Sequence, residues 1–400
     1  MAKFKYRALN TLQEKVEGTY EATSKDEVIA LIESNNLYPL LVEEVIESTN
    51  INIGRKKKVK MKDIAVFCRQ FYTMLDAGVH ISECLSIMKT QVTNETLRTD
   101  IADVHEDVRR GDSLADSMAK HPDSFPDLLV KMVKSGELSG NLDTIMLRMS
   151  VFYEKENKIN SKIKAAMIYP SVLAVVAAGA VTVILTFVMP MFMEMFEENG
   201  VELPWITKML IALSQTITEN YILIIIILLC SWFAFKMYSR SEHGKLTIST
   251  LKLRVPILKP LNEKIITSRF TRTLSTLLAS GIPLATGVQI VSEVVQNKVA
   301  EDALQSIRES LVRGDGLSKP VSQSGIFPRM LSSMIAIGEE TGSLDEILNK
   351  TADFYDDELE AQITTTTALI EPLLIVVMGV VIGGIVLSIM LPMFEMYTII

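Results

Sequence analysis

Signatures of catalysis are what this 400-residue chain lacks. No phosphate-binding loop is present: Gly244-Lys245 is its sole Gly-Lys pair, and Ser239 stands where that motif needs its first glycine. Gly314-Asp315-Gly316 begins like a dinucleotide loop, but Lys319 replaces the third glycine and no strand precedes it. His105-Glu106 is followed by Arg109 instead of the second histidine of a zinc protease. The four histidines show no ligand spacing along the chain, and no serine or cysteine has a recognisable base near it in sequence. These absences exclude the common nucleotide, redox and metalloprotease chemistries, and the chain reads as a non-enzyme. Cysteine is scarce. Cys68, Cys84 and Cys230 form an odd set without metal spacing, so a disulfide framework is not expected and the soluble parts should face a reducing compartment. No apolar stretch follows the first residues, Met-Ala-Lys-Phe-Lys-Tyr-Arg, so no cleaved signal peptide is expected.

Aliphatic residues supply what is present in excess. Hydrophobic residues make up 48% but aromatics only 6%, and the mean hydropathy is +0.27, a balance that suits a bilayer better than a dense soluble core. The chain is also duplicated. Gly136-Glu137-Leu138-Ser139-Gly140-Asn141-Leu142-Asp143 recurs as Gly338-Glu339-Glu340-Thr341-Gly342-Ser343-Leu344-Asp345, 202 residues on. Phe67, Gly78 and Gly111 find Phe270, Gly281 and Gly314 at an offset of 203, and one residue lost between Gly314 and Phe327 restores 202. Pro170 repeats as Pro372, and Pro190-Met191-Phe192 as Pro392-Met393-Phe394. Each copy is a bundle followed by a membrane segment.

The expected fold is mainly α: a polytopic membrane protein with two homologous antiparallel helical bundles, three transmembrane helices and a small N-terminal α/β unit. That unit covers 1–47, where two alternating stretches, a helix and a final strand are predicted. A basic linker follows at 48–62, with Arg55-Lys56-Lys57-Lys58 at its centre; it reads as a solvated tether or a contact with anionic lipid. No aromatic stacking pattern accompanies these charges, so nucleic acid is not expected as a partner. The first bundle spans 63–164, and its helical period is marked by Ile64, Phe67 and Phe71. Membrane helices are expected at 165–193, 220–238 and 368–394, the second one short. Between them lie a short acidic loop (194–219), a basic connection (239–265) and the second bundle (266–367); 395–400 form the C-terminus. Lysines and arginines precede span one and follow span two, while the loop between holds five glutamates against Lys208. The positive-inside rule then puts the N-terminus and both bundles in the cytoplasm and the acidic loop and C-terminus outside.

Within the repeated motif, Gly136 and Gly140, like Gly338 and Gly342, are expected to end a helix and admit a turn. Asp143 and Asp345 sit in the next helix's first turn, where a negative charge suits the dipole. Glu137 and Glu339 have no such local task. They suggest a partner-binding edge, or a cation site in which Glu83, Glu137 and Asn141 supply oxygens. Glu371-Pro372 lies at the mouth of span three. Glu371 aligns with Tyr169, which favours packing over an ion relay. Gly379, Gly383 and Gly384 permit close helix approach, as a dimer seam or as ordinary small residues.

In this order the parts resemble the GspF/PilC family of inner-membrane platform proteins of type IV pilus assembly and type II secretion. The resemblance rests on Phe4-x-Tyr6-x-Ala8-Leu9, Gly78-Val79-His80-Ile81-Ser82, the two Gly-Glu motifs, Met167-Ile168-Tyr169-Pro170 and Glu371-Pro372, and it covers essentially the whole chain. It implies a hexameric cytoplasmic ATPase, pilin or pseudopilin and other inner-membrane assembly proteins as partners, membrane lipid around the spans, and a homo-oligomer. An energy source in a partner fits the missing nucleotide site. The second bundle, with fifteen acids against six bases from Thr273 to Glu371, offers an acidic face to a basic partner. The resemblance also implies calcium at Glu83, Glu137 and Asn141, with Asn where the family pattern has Asp; the second repeat offers only Gly287, Glu339 and Ser343. A secondary transporter is the alternative, since duplicated halves and Glu371 fit it, but two spans followed by one do not make an inverted repeat.

Overall fold

The computed structural model describes residues 2–9, 15–22, 25–34, 37–45, 58–198 and 203–399. Most of the basic linker therefore lies outside the described residues, as do 199–202 of the acidic stretch and residue 400. The described chain is mostly helical and divides into two compact units, 1–57 and 58–400.

In the first unit, strands β1 (Ala2–Leu9), β2 (Lys15–Ala22) and β3 (Tyr38–Val45) form an antiparallel sheet ordered β2-β1-β3, with helix α1 (Lys25–Ser34) between β2 and β3. Ala8, Ala22, Val28 and Ile32 are buried together, so α1 turns its Val28/Ile32 stripe to the sheet.

The second unit contains the duplication. Helices α2 (Met61–Asp76), α3 (Ile81–Gln91), α4 (Glu95–Arg110), α5 (Leu114–Ala119), α6 (Asp127–Ser139) and α7 (Leu142–Val183) make the first copy. A π-helical turn, Ile184–Val188, continues α7 into α8 (Met189–Glu198). Three helices connect the copies: α9 (Trp205–Glu219), α10 (Tyr221–Tyr238) and α11 (Glu242–Arg254). The second copy is α12 (Lys259–Ala279), α13 (Leu284–Val294), α14 (Lys298–Val312), α15 (Ser318–Gln323), α16 (Arg329–Thr341) and α17 (Leu344–Ile399).

The two copies are built by the same local devices. Asn94 Oδ1 caps α4 by accepting from Thr96 and Leu97 N–H, and Asn297 Oδ1 caps α14 by accepting from Ala300 N–H. Phe67 packs on Phe125 with ring centroids 5.6 Å apart, as their counterparts Phe270 and Phe327 do at 4.8 Å. Both copies contribute to one continuous buried cluster, running from Ile64 and Phe71 to Phe270 and Leu348.

Three described helices are long and apolar enough to cross a membrane: Leu142–Phe196, Tyr221–Tyr238 and Leu344–Phe394. The weak second span ends as its sequence demands, with Lys236 Nζ 4.9 Å from the Trp232 ring centre, a basic head folded over an aromatic.

The stretch read as an acidic loop is different. Its described residues are helical on both sides of 199–202, and α9 carries apolar residues at helical spacing behind its polar ones. Thr207 Oγ donates to the Ser388 carbonyl of α17 at 2.8 Å, and Ser214 Oγ to the Leu185 carbonyl in the π turn. These residues lie seven apart, about 10 Å along α9, yet they reach the same level of two parallel spans. Helix α9 therefore lies across both. The π turn widens the ladder where Ser214 takes the Leu185 carbonyl, the kind of insertion that sustains such a turn.

Candidate functional site

The repeated motif folds into the same turn twice. Helix α6 runs past Gly136 to Ser139, and Gly140 caps it in the left-handed region with φ 74°; Gly342 caps α16 with φ 70°. Gly136 and Gly338, expected to end these helices, lie inside them and are buried. Their task is close approach. A Cβ on Gly338 would sit 2.9 Å from Leu344 Cα and 3.0 Å from its Cδ1; on Gly136 it would sit 3.2 Å from Leu142 Cα and 3.0 Å from Ile145 Cγ1. Each glycine lets the following long helix start against the one before it. Gly338→Ala should therefore cost about 1–3 kcal/mol, because backbone must move. Gly136→Ala, whose tightest contact is a side chain, should cost less. Thermal unfolding of the two detergent-solubilised variants checks that order. Asp143 and Asp345 occupy the first turns of α7 and α17.

The structure supplies Glu137 with the local task its sequence did not reveal. Its carboxylate accepts from Leu114 N–H at 2.7 Å and Ala115 N–H at 2.9 Å, the free amides that open α5. Ser113 Oγ accepts from the next, Asp116 N–H, at 3.0 Å. Glu339 repeats the device on α15, accepting from Leu317 N–H and, at 3.1 Å, from Ser318 N–H. The paired acids thus clamp one helix start to the neighbouring helix end.

Glu83 is exposed in the first turn of α3, and Asn141 precedes α7 with its side chain making no cap bond. A cation held by Glu83, Glu137 and Asn141 would share the Glu137 oxygens with the α5 amides. Glu339 performs the same clamp in the second copy, where Ser343 takes the repeat position of Asn141, so the amides alone account for the carboxylate. In space, His121 comes to the side of Asp100 and Asp103, which no spacing along the chain shows. Asp100 is buried and already bonded, to Ser124 Oγ at 2.5 Å and His121 Nδ1 at 3.2 Å.

Polar residues that sequence reasoning missed join the two bundles. Arg269 of α12 and Glu156 of α7 form an ion pair at 2.7 Å with each side chain about one-tenth exposed. Arg269 also donates to Gln296 Oε1 at 3.1 Å. Beside it Arg272 bridges Asp356 at 2.5 Å and Asp353 at 2.8 Å, and Lys155 reaches Asp353 at 2.5 Å. Partial desolvation pulls Asp353 up, and hydrogen bonds from Lys155 and Arg272 outweigh it, so its carboxyl lies below the ordinary aspartate value. The Lys162 and Lys158 ammoniums likewise hold Glu360 down. The one available signal was a break in the repeat, where Arg269 stands against Val66 at an offset of 203.

Below this junction α7 and α17 run side by side. Lys158 meets Glu360 at 3.0 Å, and at the membrane mouth Tyr169 OH donates to Glu371 Oε1 at 3.1 Å. Glu371 is thus bonded to the residue it aligns with, and Pro372 lies within α17 beside it. Further along, an open apolar groove of about 410 Å³ separates the spans, lined by residues such as Ala174, Ala177, Leu374 and Met378. A Cβ at Gly379, Gly383 or Gly384 would meet nothing within 4 Å, so among the described residues no other helix uses these glycines for close approach.

A duplicated helical bundle, each copy continuous with a membrane-length helix and held by capped turns and ion pairs, is the class of protein this geometry defines. The family model for type II secretion system protein F matches residues 67–190 and 270–392, and its N-terminal domain model matches 1–43. The chain belongs to that family. It is 35% identical over 396 residues to a type IV pilus assembly protein PilC of Myxococcus xanthus, covering 99% of this chain and 95% of the relative. To its counterpart in Thermus thermophilus it is 35% identical over 399 residues, with 99% and 98% covered. To a type II secretion system protein F of Aeromonas hydrophila it is 33% identical over 380 residues, with 94% and 98% covered.

Proposed function

We propose that this protein is the inner-membrane platform of a type IV pilus or related type II secretion machine, coupling a hexameric cytoplasmic ATPase to assembly of pilin or pseudopilin. The observation that carries the reading is helix continuity. α7 leaves the Gly136–Asp143 turn and enters the membrane without a break over 42 residues, about 63 Å, and α17 does so over 56, about 84 Å. Pro170 and Pro372 lie at the mouths of these spans without ending either helix, so a displacement imposed on either bundle is passed to the bilayer through one continuous helix. The energy comes from the partner, in keeping with the absence of a nucleotide motif.

In this reading the N-terminus and both bundles are cytoplasmic and the C-terminus lies on the far side, as the lysines before span one and after span two support. The 1–47 unit and the bundles are the surfaces open to the ATPase and other assembly proteins, and the spans face pilin and lipid. No step runs through a cation. Calcium at Glu83, Glu137 and Asn141 is a subordinate proposal; a calcium-dependent rise in melting temperature, lost in Glu83→Gln, is the result expected of it, and no rise would remove it.

The test is a mild-detergent pull-down of the tagged full-length chain from its native host. Recovery of a pilus- or secretion-type ATPase with a pilin is the expected result. Recovery of neither, while other membrane complexes survive the same detergent, would sink the proposal and favour a transporter, for which flux assays on Glu371→Gln would follow.

A further inference from the structure

The contact between the two bundles is one-sided. The first bundle contributes its α6–α7 face, where Leu128 and Phe152 are 7% and 5% exposed; the second contributes its α12–α13 face, with Arg269 and Ile290 buried, and the Asp353 edge of α17, which Lys155 reaches. Lys131 of α6 pairs with Glu293 of α13 at 3.1 Å across this seam. Such a contact joins two different surfaces and leaves one of each unused when the parts are copies.

Both unused surfaces are open on this chain. On the second bundle, Met330 and Phe354 stand where Leu128 and Phe152 do, and they are 41% and 42% exposed. The aromatic pair beneath is the same: Phe152–Tyr153 and Phe354–Tyr355 both have centroids 5.3 Å apart, edge to face. On the first bundle, Val66 stands where Arg269 does and is 45% exposed, and Ile87, the counterpart of buried Ile290, is half-buried. The ion pair is not repeated, but no stray charge results. Glu358, in the place of Glu156, is already paired with Lys264 at 2.8 Å within its own copy. The open surfaces are therefore apolar at their centres.

We propose that a second copy of this chain seats the α16–α17 face of its second bundle on the α2–α3 face of the first bundle, repeating between chains the contact made within one. The inference rests on the duplication and stands apart from the proposed function. The stalk shows why the repetition closes. Lys158–Glu360 and Tyr169–Glu371 each join residues 202 apart, the offset of the repeat itself. The copies are thus related by rotation without a shift along the helices, so added bundles stay at one height over the bilayer and form a ring rather than a climbing filament.

Cross-linking in native membranes tests this. Full-length chains lacking Cys230 keep only the buried Cys68 and Cys84. One tagged copy carries Thr90→Cys and a differently tagged copy Ser333→Cys, the counterparts of Glu293 and Lys131. A short bis-maleimide should yield a covalent dimer bearing both tags, and Phe354→Asp on the Ser333→Cys copy should remove most of it. The pair Lys131→Cys with Glu293→Cys in one chain should still link, showing that the bundles are intact and the reagent reaches. No two-tag dimer while that internal pair reacts would overturn the proposal. So would dimers among Thr90→Cys copies alone, or a dimer indifferent to Phe354→Asp.

Discussion

Arg269→Ala should loosen the junction of the bundles by about 3–5 kcal/mol, because it leaves the nearly buried Glu156 carboxylate with the Asn160 amide in place of its cation. The loss goes beyond one contact, since Gln296 Oε1 loses its donor as well. Glu156→Ala should cost a similar amount by leaving the guanidinium only the neutral acceptors of Gln296 and Asn160, with its Nε already without a partner among the described residues. Removing both charges is the telling case. Arg269→Met with Glu156→Leu replaces the pair by apolar groups of like size, which elsewhere is neutral or stabilising. Thermal unfolding of the detergent-solubilised chain, with amide exchange along α12, should rank the single variants well below wild type and the double variant near it. A double variant no better than the singles would mean that the pair is not isolated from solvent.

Glu339→Ala should cost about 2–4 kcal/mol, since two charge-assisted bonds to the start of α15 are lost at once. Glu339→Gln keeps an acceptor oxygen and should retain part of that stability. Glu339→Lys should be worst, because it sets a positive charge at a helix N-terminus. The measurement is exchange of the Leu317 and Ser318 amides, which should become fast in the alanine variant while α14 is unchanged. A purely partner-facing glutamate would leave those amides protected and alter only what the protein binds.

How much of this was legible follows from where each signal lies. The duplication and the three apolar spans are periodic or compositional, so they stand in the sequence itself. The position of the motif's helix ends was misjudged because glycine inside a helix costs about 1 kcal/mol relative to alanine. Gly136 and Gly338 bear that cost for the approach of Leu142 and Leu344, which only the fold displays. The partners of Glu137 lie twenty-three and twenty-two residues away in another turn, beyond any local pattern. Arg269, marked only by its mismatch with Val66 in the repeat, was passed over for the opposite reason. A charged residue in a helical pattern is read as solvent-facing, and nothing in α12 announces that α7 covers it. The glutamates flanking 199–202 drew attention to acidity and hid the apolar face of α9.

That transverse helix also sets an order of events during synthesis. Thr207 can bond to the Ser388 carbonyl only after the last span has left the ribosome, long after α9 itself has been made. Until then, among the described residues, α9 holds to the first span alone, through the Leu185 carbonyl and Met193 Sδ. Chains stopped before residue 388 should insert their first two spans and yet remain open to membrane proteases at α9. Completion of the C-terminal helix should then take α9 out of their reach.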